Sequence, residues 1–280
     1  MSSLDKMLGI LGLFRENRTR IRIEDVIDLT EASRATAYRY LQSLTDAGLL
    51  APATGGTHAL GPRIIELDRL MRMTDPLLTQ AAGPLRELSA ALRANVMLCS
   101  YYGDKVMCVD LVWPDSTVPQ AYERGRPMPM FRGAMAKTIL AHLPPYHLRN
   151  MMAWHAAEIR AAGLGESWDE FRSQMARLRR AGIVVTRAEV VPELIGLGAP
   201  LFDREQRVLG SLVLAIPESR FDTEGMEIFS GRLTNTAEQI SAAISRSAED
   251  ASLPTPKPAR PRPPSSRGSR SATPRSKNEI

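Results

Sequence analysis

The stretch SRATAYRYLQSLTDAGLL, residues 33–50, decides how the first part of the chain is interpreted. Its apolar residues recur at helical spacing, and Gly48 follows them where a helix commonly ends. The spacing therefore predicts a helix over residues 34–47. One face of this helix is an apolar stripe that can pack on neighbouring helices, and it comprises Ala37, Tyr40, Leu41 and Leu44.

The opposite face of this helix is more polar than packing requires. It presents side chains that can hydrogen bond to bases or phosphates: Arg34, Thr36, Tyr38, Arg39, Gln42 and Ser43. A DNA major groove admits one α-helix, and there arginine suits guanine and glutamine suits adenine. No acidic residue lies between Glu31 and Asp46, so we expect this face to be locally positive. The face predicts a DNA-reading helix, although a solvated amphipathic helix would show the same pattern.

The neighbouring sequence predicts a small winged helix-turn-helix domain around this helix. Helix and strand patterns follow in the order helix, helix, turn, helix, hairpin, at about residues 4–14, 22–29, 30–33, 34–47 and 49–60. The hairpin turns at TGG and can serve as a wing against phosphates. A further helix at 63–74 is broken by Asp75-Pro76. We therefore predict a DNA-binding domain at 1–62 and a linker helix at 63–76.

Beyond Pro76 the pattern changes to mixed helices and strands. Helical patterns cover about 77–93, parts of 133–152, 168–181, and a last helix from Asp222, a plausible N-cap, to Ser247. Strand patterns cover about 95–102, 105–113, 183–187, 196–202 and 207–216. Helices flanking one mostly antiparallel sheet predict an α+β ligand-sensor domain at 77–250.

Composition limits the class of protein. A chain of 280 residues fits about two domains. No apolar run approaches the roughly 18 residues that a membrane span needs. Two cysteines make a disulfide framework improbable, and the N-terminus is a poor signal peptide. We therefore expect a cytoplasmic protein without a membrane partner.

The positive net charge is concentrated in the last thirty residues. Residues 251–280 hold seven Lys or Arg and one acid, which gives this segment a net charge of +6. Since the whole chain has a net charge of +5, residues 1–250 sum to −1. Residues 1–62 balance at seven basic and seven acidic. The Pro-, Ser- and Arg-rich composition of 251–280 predicts a disordered tail, either a solvated spacer or a weak nonspecific contact with nucleic acid.

Residues 4–74 resemble the winged helix-turn-helix and linker helix of the IclR (isocitrate lyase regulator) family of bacterial transcription factors. The resemblance is carried by RIEDVIDLTEASRATAYRYLQSLTDAGLL (22–50) and by HALGPRI (58–64), although His58 stands where the family usually has tyrosine. Residues on the family pattern are Thr36, Arg39, Leu41, Leu44 and Gly48.

The second half is similar to the same family's GAF-like sensor domain. RGAMAKTILAHLP (132–144) resembles the family segment GAxGKALLA, with Ala136 in place of the second glycine. RRAGIVVTRAEVVPELIGLGAPLFDREQRVLGSLVLAIPESRF (179–221) resembles the sensor core. It keeps the family's Gly182, Glu189, Ala199-Pro200, Asp203, Pro217 and Arg220. The resemblance covers about residues 4–247 and implies a regulator in which a bound metabolite acts on the DNA-binding heads through the linker helices.

The resemblance also implies where an effector binds. The matching positions are Gly133, Ala134, Thr186, Gly196, Val213 and Ala215. Relatives that bind small oxo-acids carry Asp, Cys and two Ser at the last four of these. Because buried polar groups keep partners, their loss here, together with the room of two glycines, suggests a larger and less polar ligand. We expect an aromatic acid or phenol held by Met128, Met130, Met135 and Trp113, with Arg132 available for a carboxylate.

Cys99 and Cys108 suggest an alternative interpretation, a redox-responsive regulator. If Gly103-Asp104 is a two-residue turn, Cys99 lies opposite Cys108 on the neighbouring strand. Two buried thiols that only pack in a strand pair would show the same spacing. The pattern alone leaves both open.

Other chemistry has little support in the sequence. His142, His147 and His155 are spaced by five and eight, which does not place metal ligands on one helix face, so exposed histidines are the expectation. There is no GxSxG, no phosphate-binding loop and no paired Cys/His signature, and Glu189 has no evident nucleophile or acid partner. We predict neither an enzyme, nor a metal site, nor a cofactor.

These observations predict a cytoplasmic, ligand-responsive transcriptional regulator, with a cytoplasmic small-molecule sensor that does not bind DNA as the simpler alternative. It should control a catabolic operon as repressor or activator. It should bind a palindromic operator in double-stranded DNA as a homodimer or a dimer of dimers, because one head reads one half-site. The head and the linker helix are the expected dimer contacts.

Overall fold

A computed structural model describes residues 2–102, 105–116, 118 and 122–252, with the backbone alone for the last five. The predicted basic tail lies outside these residues from position 253 onward. Within the described ranges, no helix is long and apolar enough to cross a membrane.

The head contains the predicted order of elements. These are α1 (Ser3–Gly9) with a 3₁₀ turn (Ile10–Leu13), α2 (Ile23–Thr30), α3 (Arg34–Asp46), β1 (Leu50–Ala53) and β2 (Thr57–Leu60). The helix predicted over 4–14 is therefore shorter: Ser2 caps it and the α-helical part ends at Gly9. The predicted stripe of α3 packs in the head's core, together with Ile10, Ile21, Ile23, Val26 and Leu50.

Two consecutive helices lead from the head into the second half. α4 (Arg63–Thr74) has the bounds that the sequence predicts. Asp75 ends it and caps α5 (Pro76–Leu92), because its carboxylate accepts a hydrogen bond from the backbone of Leu77 at 2.8 Å. None of the residues of α4 is buried, whereas α5 buries one face on the sheet that follows.

The second half contains a six-stranded sheet in the order β5-β4-β3-β8-β7-β6, with all neighbours antiparallel. The strands are β3 (Asn95–Tyr102), β4 (Lys105–Val112), β5 (Pro127–Met128), β6 (Val184–Arg187), β7 (Leu194–Phe202) and β8 (Val208–Pro217). The two-residue β5 was not predicted from the sequence, since it is too short for an alternating pattern.

Helices cover both faces of this sheet and confirm the α+β class. They are α6 (Gly133–His142), α7 (Pro145–Ala161), α8 (Trp168–Ala181), α9 (Glu218–Glu224) and α10 (Met226–Ser252). α5 and α10 cover one face, and α6 to α8 cover the other. Small and apolar residues let α6 press against the sheet, so Gly133 to Ala141 are all buried.

The predicted start of the last helix at Asp222 is wrong. Asp222 lies inside the short helix α9, and its carboxylate pairs with Arg187 at 3.1 Å. Gly225 then separates α9 from α10 with φ +82°, a left-handed geometry that glycine adopts without strain. The acidic residue serves a contact with β6 rather than a cap.

Candidate functional site

The polar face of α3 is exposed, and the helix starts at a defined cap. Ser33 caps it by accepting a hydrogen bond from the backbone of Thr36 at 3.3 Å. The Ser33 hydroxyl also lies 3.1 Å from the Thr36 hydroxyl, which leaves Thr36 half-buried. The other five predicted DNA contacts are exposed on one surface: Arg34, Tyr38, Arg39, Gln42 and Ser43.

This face is less positive than the local sequence suggests. Arg34 lies 3.4 Å from the carboxylate of Glu24 on α2 and 5.8 Å from the ring centre of Tyr38. The Gln42 amide donates to Asp46 at 2.7 Å. Arg39 has no hydrogen-bond or ion-pair partner among the described residues. The expectation of an acid-free face overlooked Glu24 on α2. Of the two arginines on α3, Arg39 is the one without a partner among the described residues.

A second basic segment of the head was not singled out from the sequence. RENRTRIR, residues 15–22, carries four arginines and one acid. Its Arg20 donates to the Thr54 hydroxyl at the wing tip at 2.9 Å. Next to it, Ile21 exchanges two backbone hydrogen bonds with His58 of β2, at 2.9 and 2.8 Å. Because the wing itself carries no charge, the density of arginines in 15–22 was the available signal for cations beside it.

In the second half, one cavity lies between the start of α6, strands β6 to β8 and the loop after β6. All seven residues predicted for the effector line it: Gly133, Ala134, Met135, Thr186, Gly196, Val213 and Ala215. The other expected wall residues do not line it, namely Trp113, Met128, Met130 and Arg132. Arg132 is exposed, and Met130 borders a different hollow beside Tyr101 and His147.

The glycines of this region do not create room. A Cβ on Gly196 would lie 3.0 Å from the Thr186 hydroxyl and 3.2 Å from the Ala134 Cβ, and one on Gly133 would lie 2.6 Å from the Met135 sulfur. They allow α6 to approach the sheet closely. The cavity measures about 20 Å³, space for roughly one water molecule. The expectation that glycines enlarge the pocket is wrong for this closed state.

Two buried residues with hydroxyl groups line the cavity. Thr186 is 7% exposed and Tyr122 is 5% exposed, and neither hydroxyl makes a hydrogen bond within the described part of the chain. Burial, more than the neighbouring Cys99, raises the pKa of Tyr122 to about 12, so it is a neutral hydroxyl at physiological pH. Tyr122 was missed from the sequence because it lies in a segment without periodic pattern.

The carboxylate of Glu189 closes one end of the cavity. One of its oxygens accepts from the backbone N–H of Gly133 at 2.9 Å, and the other lies 2.6 Å from the Lys137 ammonium. Lys137 is one turn further along α6 and its side chain is 11% exposed. Sequence reasoning placed Glu189 on the family pattern but found no partner for it, because its partners lie more than fifty residues earlier in the chain.

The second half also holds the linker helix directly. Asp68 of α4 receives two hydrogen bonds from Arg124, at 3.1 and 2.5 Å, and Arg124 also donates to the Val109 carbonyl of β4 at 2.7 Å. The hydrogen bonds from Arg124 keep the pKa of Asp68 below its usual value. Since Tyr122 lies two residues before Arg124, the cavity wall and the linker contact belong to one short segment.

Both halves of the chain match families of known proteins. Residues 72–242 match the family described as bacterial transcriptional regulator IclR C-terminal, and residues 3–52 match the IclR helix-turn-helix domain. The chain belongs to the IclR family. It is therefore a DNA-binding transcriptional regulator with a C-terminal effector-binding domain, not an enzyme.

Individual IclR-family relatives are distant but cover nearly the whole length. The regulator KipR of Bacillus subtilis is 24% identical over 241 residues, 85% of this chain and 95% of its own. An IclR regulator structure from Silicibacter sp. TM1040 is 23% identical with a TM-score of 0.75, over 87% of this chain and 96% of its own. An IclR homologue from Microbacterium hydrocarbonoxydans, complexed with 4-hydroxybenzoate, is 19% identical with a TM-score of 0.69, over 87% and 99%.

The two cysteines of this IclR regulator lie opposite one another, as their spacing predicts. Cys99 on β3 is paired with Cys108 on β4, next to a bulge at Leu98, and both are fully buried. A hydrogen bond to Cys108, together with burial, raises the pKa of Cys99 well above its usual value. The same hydrogen bond lowers the pKa of Cys108. The turn residues 103–104 themselves lie outside the described residues.

The three histidines serve separate local contacts and are half-buried rather than exposed. His142 lies 2.9 Å from the Thr138 carbonyl and packs edge-on against Phe202. His147 packs against Tyr101 and Tyr146, and His155 lies 2.9 Å from Glu158. Among the described residues, no group of three His, Cys, Asp or Glu side chains could hold a metal ion.

Proposed function

We propose that this regulator binds an aromatic or other weakly polar organic acid in the α6 cavity and reads a palindromic operator with α3. The observation that carries the ligand class is the mixed lining of the cavity. The start of α6, Thr186, Tyr122 and Glu189 contribute polar groups to it. The remaining wall is apolar, formed by Met97, Met135, Val190, Leu194 and Val213.

The lining offers a group for each part of such a ligand. Backbone N–H groups at a helix N-terminus attract anions, so the start of α6 suits a carboxylate. The two hydroxyls suit a phenol or a second oxygen, and the methionine and valine side chains suit an aromatic ring. The 4-hydroxybenzoate complex of the Microbacterium homologue supports this ligand class. The regulated operon would then degrade such a compound.

On the DNA side, the exposed face of α3 supplies both kinds of contact. Arg39 and Gln42 are placed to read base edges, while Tyr38, Ser43 and Arg34 suit phosphates, and Thr36 supports the first turn. Arg20 adds a cation beside the wing, where a phosphate contact needs one. Glu24 and Asp46 must release Arg34 and Gln42 for these contacts, which lowers the net gain from each.

Homodimer formation through the head and linker is supported by exposed apolar side chains. On α1, Leu4 is 67% and Leu8 is 55% exposed. On α4, Ile65 is 74% and Met73 is 58% exposed. Exposed apolar clusters of this kind mark protein interfaces. A two-fold pair would place two copies of α3 on two half-sites, and a dimer of dimers would use further surfaces.

The contact between Arg124 and Asp68 gives the ligand a route to the linker helix. An effector that hydrogen bonds to Tyr122 would act on the segment that carries Arg124. Replacing Asp68 by asparagine should leave effector affinity intact and weaken the effect of the effector on DNA binding. Because the carboxylate is partly exposed, we expect the fold to tolerate this change.

The proposal is tested by two titrations on the same preparation. A fragment carrying the chain's own promoter should be shifted in a gel, with affinity falling steeply as salt rises. Calorimetry should detect 4-hydroxybenzoate-like acids and not glyoxylate-like acids. Binding of the small oxo-acids alone would contradict the ligand class, and no shift of any promoter fragment would contradict the DNA-reading role of α3.

The cysteine pair favours a second candidate, a redox-responsive regulator. Two opposed thiols can be oxidised to one disulfide by a peroxide, which takes two electrons and two protons and is reduced to water. Alkylation with and without hydrogen peroxide, read by mass spectrometry, would show a loss of both free thiols and a mass lower by two hydrogens. Thiols that stay fully alkylatable after peroxide treatment would remove this candidate.

A further inference from the structure

We propose that Glu189 occupies the place of the effector's carboxylate, and that a bound carboxylic acid displaces it from α6 and from Lys137. The inference rests on the proposed function insofar as the ligand is an acid bound at this cavity. It assigns Glu189 and Lys137 to ligand recognition, and it identifies the loop 188–193 as the part that must move.

The first step is that the start of α6 and Lys137 form an anion site, which Glu189 occupies. The first turn of α6 offers backbone N–H groups, and Arg132, which precedes it, provides no side-chain cap. Glu189 supplies the missing acceptor at Gly133 and also neutralises the nearly buried Lys137. A helix N-terminus followed by a lysine one turn later forms a carboxylate site, and in this structure the chain's own carboxylate lies in it.

The second step is that the same loop fills the space a ligand would need. Val190 and Val191 follow Glu189 and line the cavity. A Cβ on Gly133 would lie 2.9 Å from a Val190 methyl carbon, so the loop is packed tightly on α6. The remaining 20 Å³ is far below the roughly 300–1,000 Å³ of typical ligand pockets. Binding of an aromatic acid therefore requires this loop to withdraw.

The third step is that the loop is bounded by two strained residues. Ala188 has φ +50° and Glu193 has φ +61°, in the left-handed region that residues with a side chain rarely adopt. Ala188 donates to the Leu194 carbonyl, and the Glu193 carbonyl accepts from Glu218, each at 2.8 Å. Strained residues at both ends are typical of segments that change conformation on binding.

The fourth step concerns charge. Two carboxylates cannot share one small site without strong repulsion, so a ligand carboxylate at the start of α6 and Glu189 exclude one another. A carboxylic acid that takes this place inherits the Lys137 ammonium and the Gly133 N–H. The hydroxyls of Thr186 and Tyr122, which have no partner in the closed state, then become available to the rest of the ligand.

The main test compares an acid with its neutral isostere. Benzoate and benzamide are titrated calorimetrically into the full chain, the Glu189→Gln variant and the matched loop control Glu193→Gln. Loss of the competing carboxylate should tighten benzoate binding about tenfold more than it tightens benzamide binding, because easier withdrawal of the loop helps both ligands equally. Glu193→Gln should behave as the unchanged protein. Benzoate affinity that is equal or weaker in Glu189→Gln would overturn the proposal.

A second arm does not depend on any aromatic effector. In Glu189→Ala, sodium acetate should raise the thermal midpoint beyond the effect of sodium chloride at equal ionic strength, and Glu193→Ala should show no such difference. If acetate rescues Glu189→Ala but benzoate binds none of the chains, the proposed ligand class fails and the role of Glu189 stands. Absence of rescue by acetate would overturn that role.

The unpaired Lys137 could prevent Glu189→Ala from folding, so a third measurement uses the unchanged protein. Concentrated acetate should increase amide hydrogen exchange in a peptide covering 188–193, compared with chloride, while the first turn of α6 stays protected. Slower exchange of that peptide in acetate would contradict displacement.

Discussion

Helix α3 and the α6 cavity differ in the kind of group that each offers as a candidate functional site. On α3 the candidate groups are exposed side chains, and the packing stripe on the other face holds the fold. In the cavity the candidate groups are backbone positions, glycines and buried side chains that also hold α6 on the sheet. Substitutions on the exposed face of α3 should therefore change DNA binding alone, whereas those around the cavity should change stability and ligand response together.

The largest expected effect is on stability where α6 packs on β7, beside the cavity. A Cβ on Gly198 of β7 would lie 2.3 Å from the Thr138 hydroxyl oxygen and 2.9 Å from the Ala134 carbonyl oxygen. Gly198→Ala should therefore lower the free energy of unfolding by an amount at the upper end of roughly 1–3 kcal/mol. Urea denaturation measures the change.

Gly231 in α10 provides the matched control. A Cβ there meets no atom within 4 Å, so Gly231→Ala should stabilise the protein by about 0.5–1 kcal/mol through helix propensity. If Gly198→Ala were as well tolerated as Gly231→Ala, close packing of α6 on β7 would not limit this position, and the contrast with α3 would disappear.

The next effect is on DNA binding and leaves stability unchanged. Arg39→Ala should weaken operator binding by about tenfold or more, since a bidentate arginine–base contact contributes roughly 1–3 kcal/mol. Its free energy of unfolding should stay within about 0.5 kcal/mol, because Arg39 is exposed and has no partner in the described chain. Arg86→Ala, an exposed arginine on α5, is the control. Unchanged affinity in a gel shift would remove Arg39 from the reading role.

The sequence predicts features that depend on neighbouring residues better than features that depend on distant ones. The bounds of α3 and α4 were predicted within a residue because their apolar spacing and their end signals are local. Asp222 was misassigned as a cap because its actual partner, Arg187, lies on a strand 35 residues earlier. A carboxylate at a helix start and one in a distant ion pair have the same local pattern.

The family resemblance predicted some residues of the cavity correctly and missed others. All six positions carried over from the family line one cavity, and so does Met135, which was added as an apolar wall. The other added residues, Met128, Met130, Trp113 and Arg132, do not, because a methionine in a wall and a methionine in a core have the same local pattern. Tyr122 and Glu189 reach the cavity from segments without periodicity, so only the folded structure shows their place.

Arg20 tests whether the head's function extends beyond α3. If it contacts a phosphate beside the wing, Arg20→Ala should weaken specific and nonspecific DNA about equally. It should also reduce the slope of log affinity against log salt by about 1. Filter binding at several salt concentrations measures both quantities. A loss confined to the specific operator would instead make Arg20 a base-reading residue, like the role assigned to Arg39.

The smallest effect links pH to stability at the far end of α6. Burial, more than the nearby Arg179, lowers the pKa of His142 below its usual value, although the Thr138 carbonyl opposes the shift. The unfolded chain therefore binds the proton more readily, so stability is full above about pH 6.5 and falls as pH drops below that value. His142→Gln should flatten this part of the stability curve in urea titrations between neutral and mildly acidic pH. The proposed DNA-binding face of α3 contains no histidine, so a matching pH dependence of operator affinity would show that the two regions are coupled rather than separate.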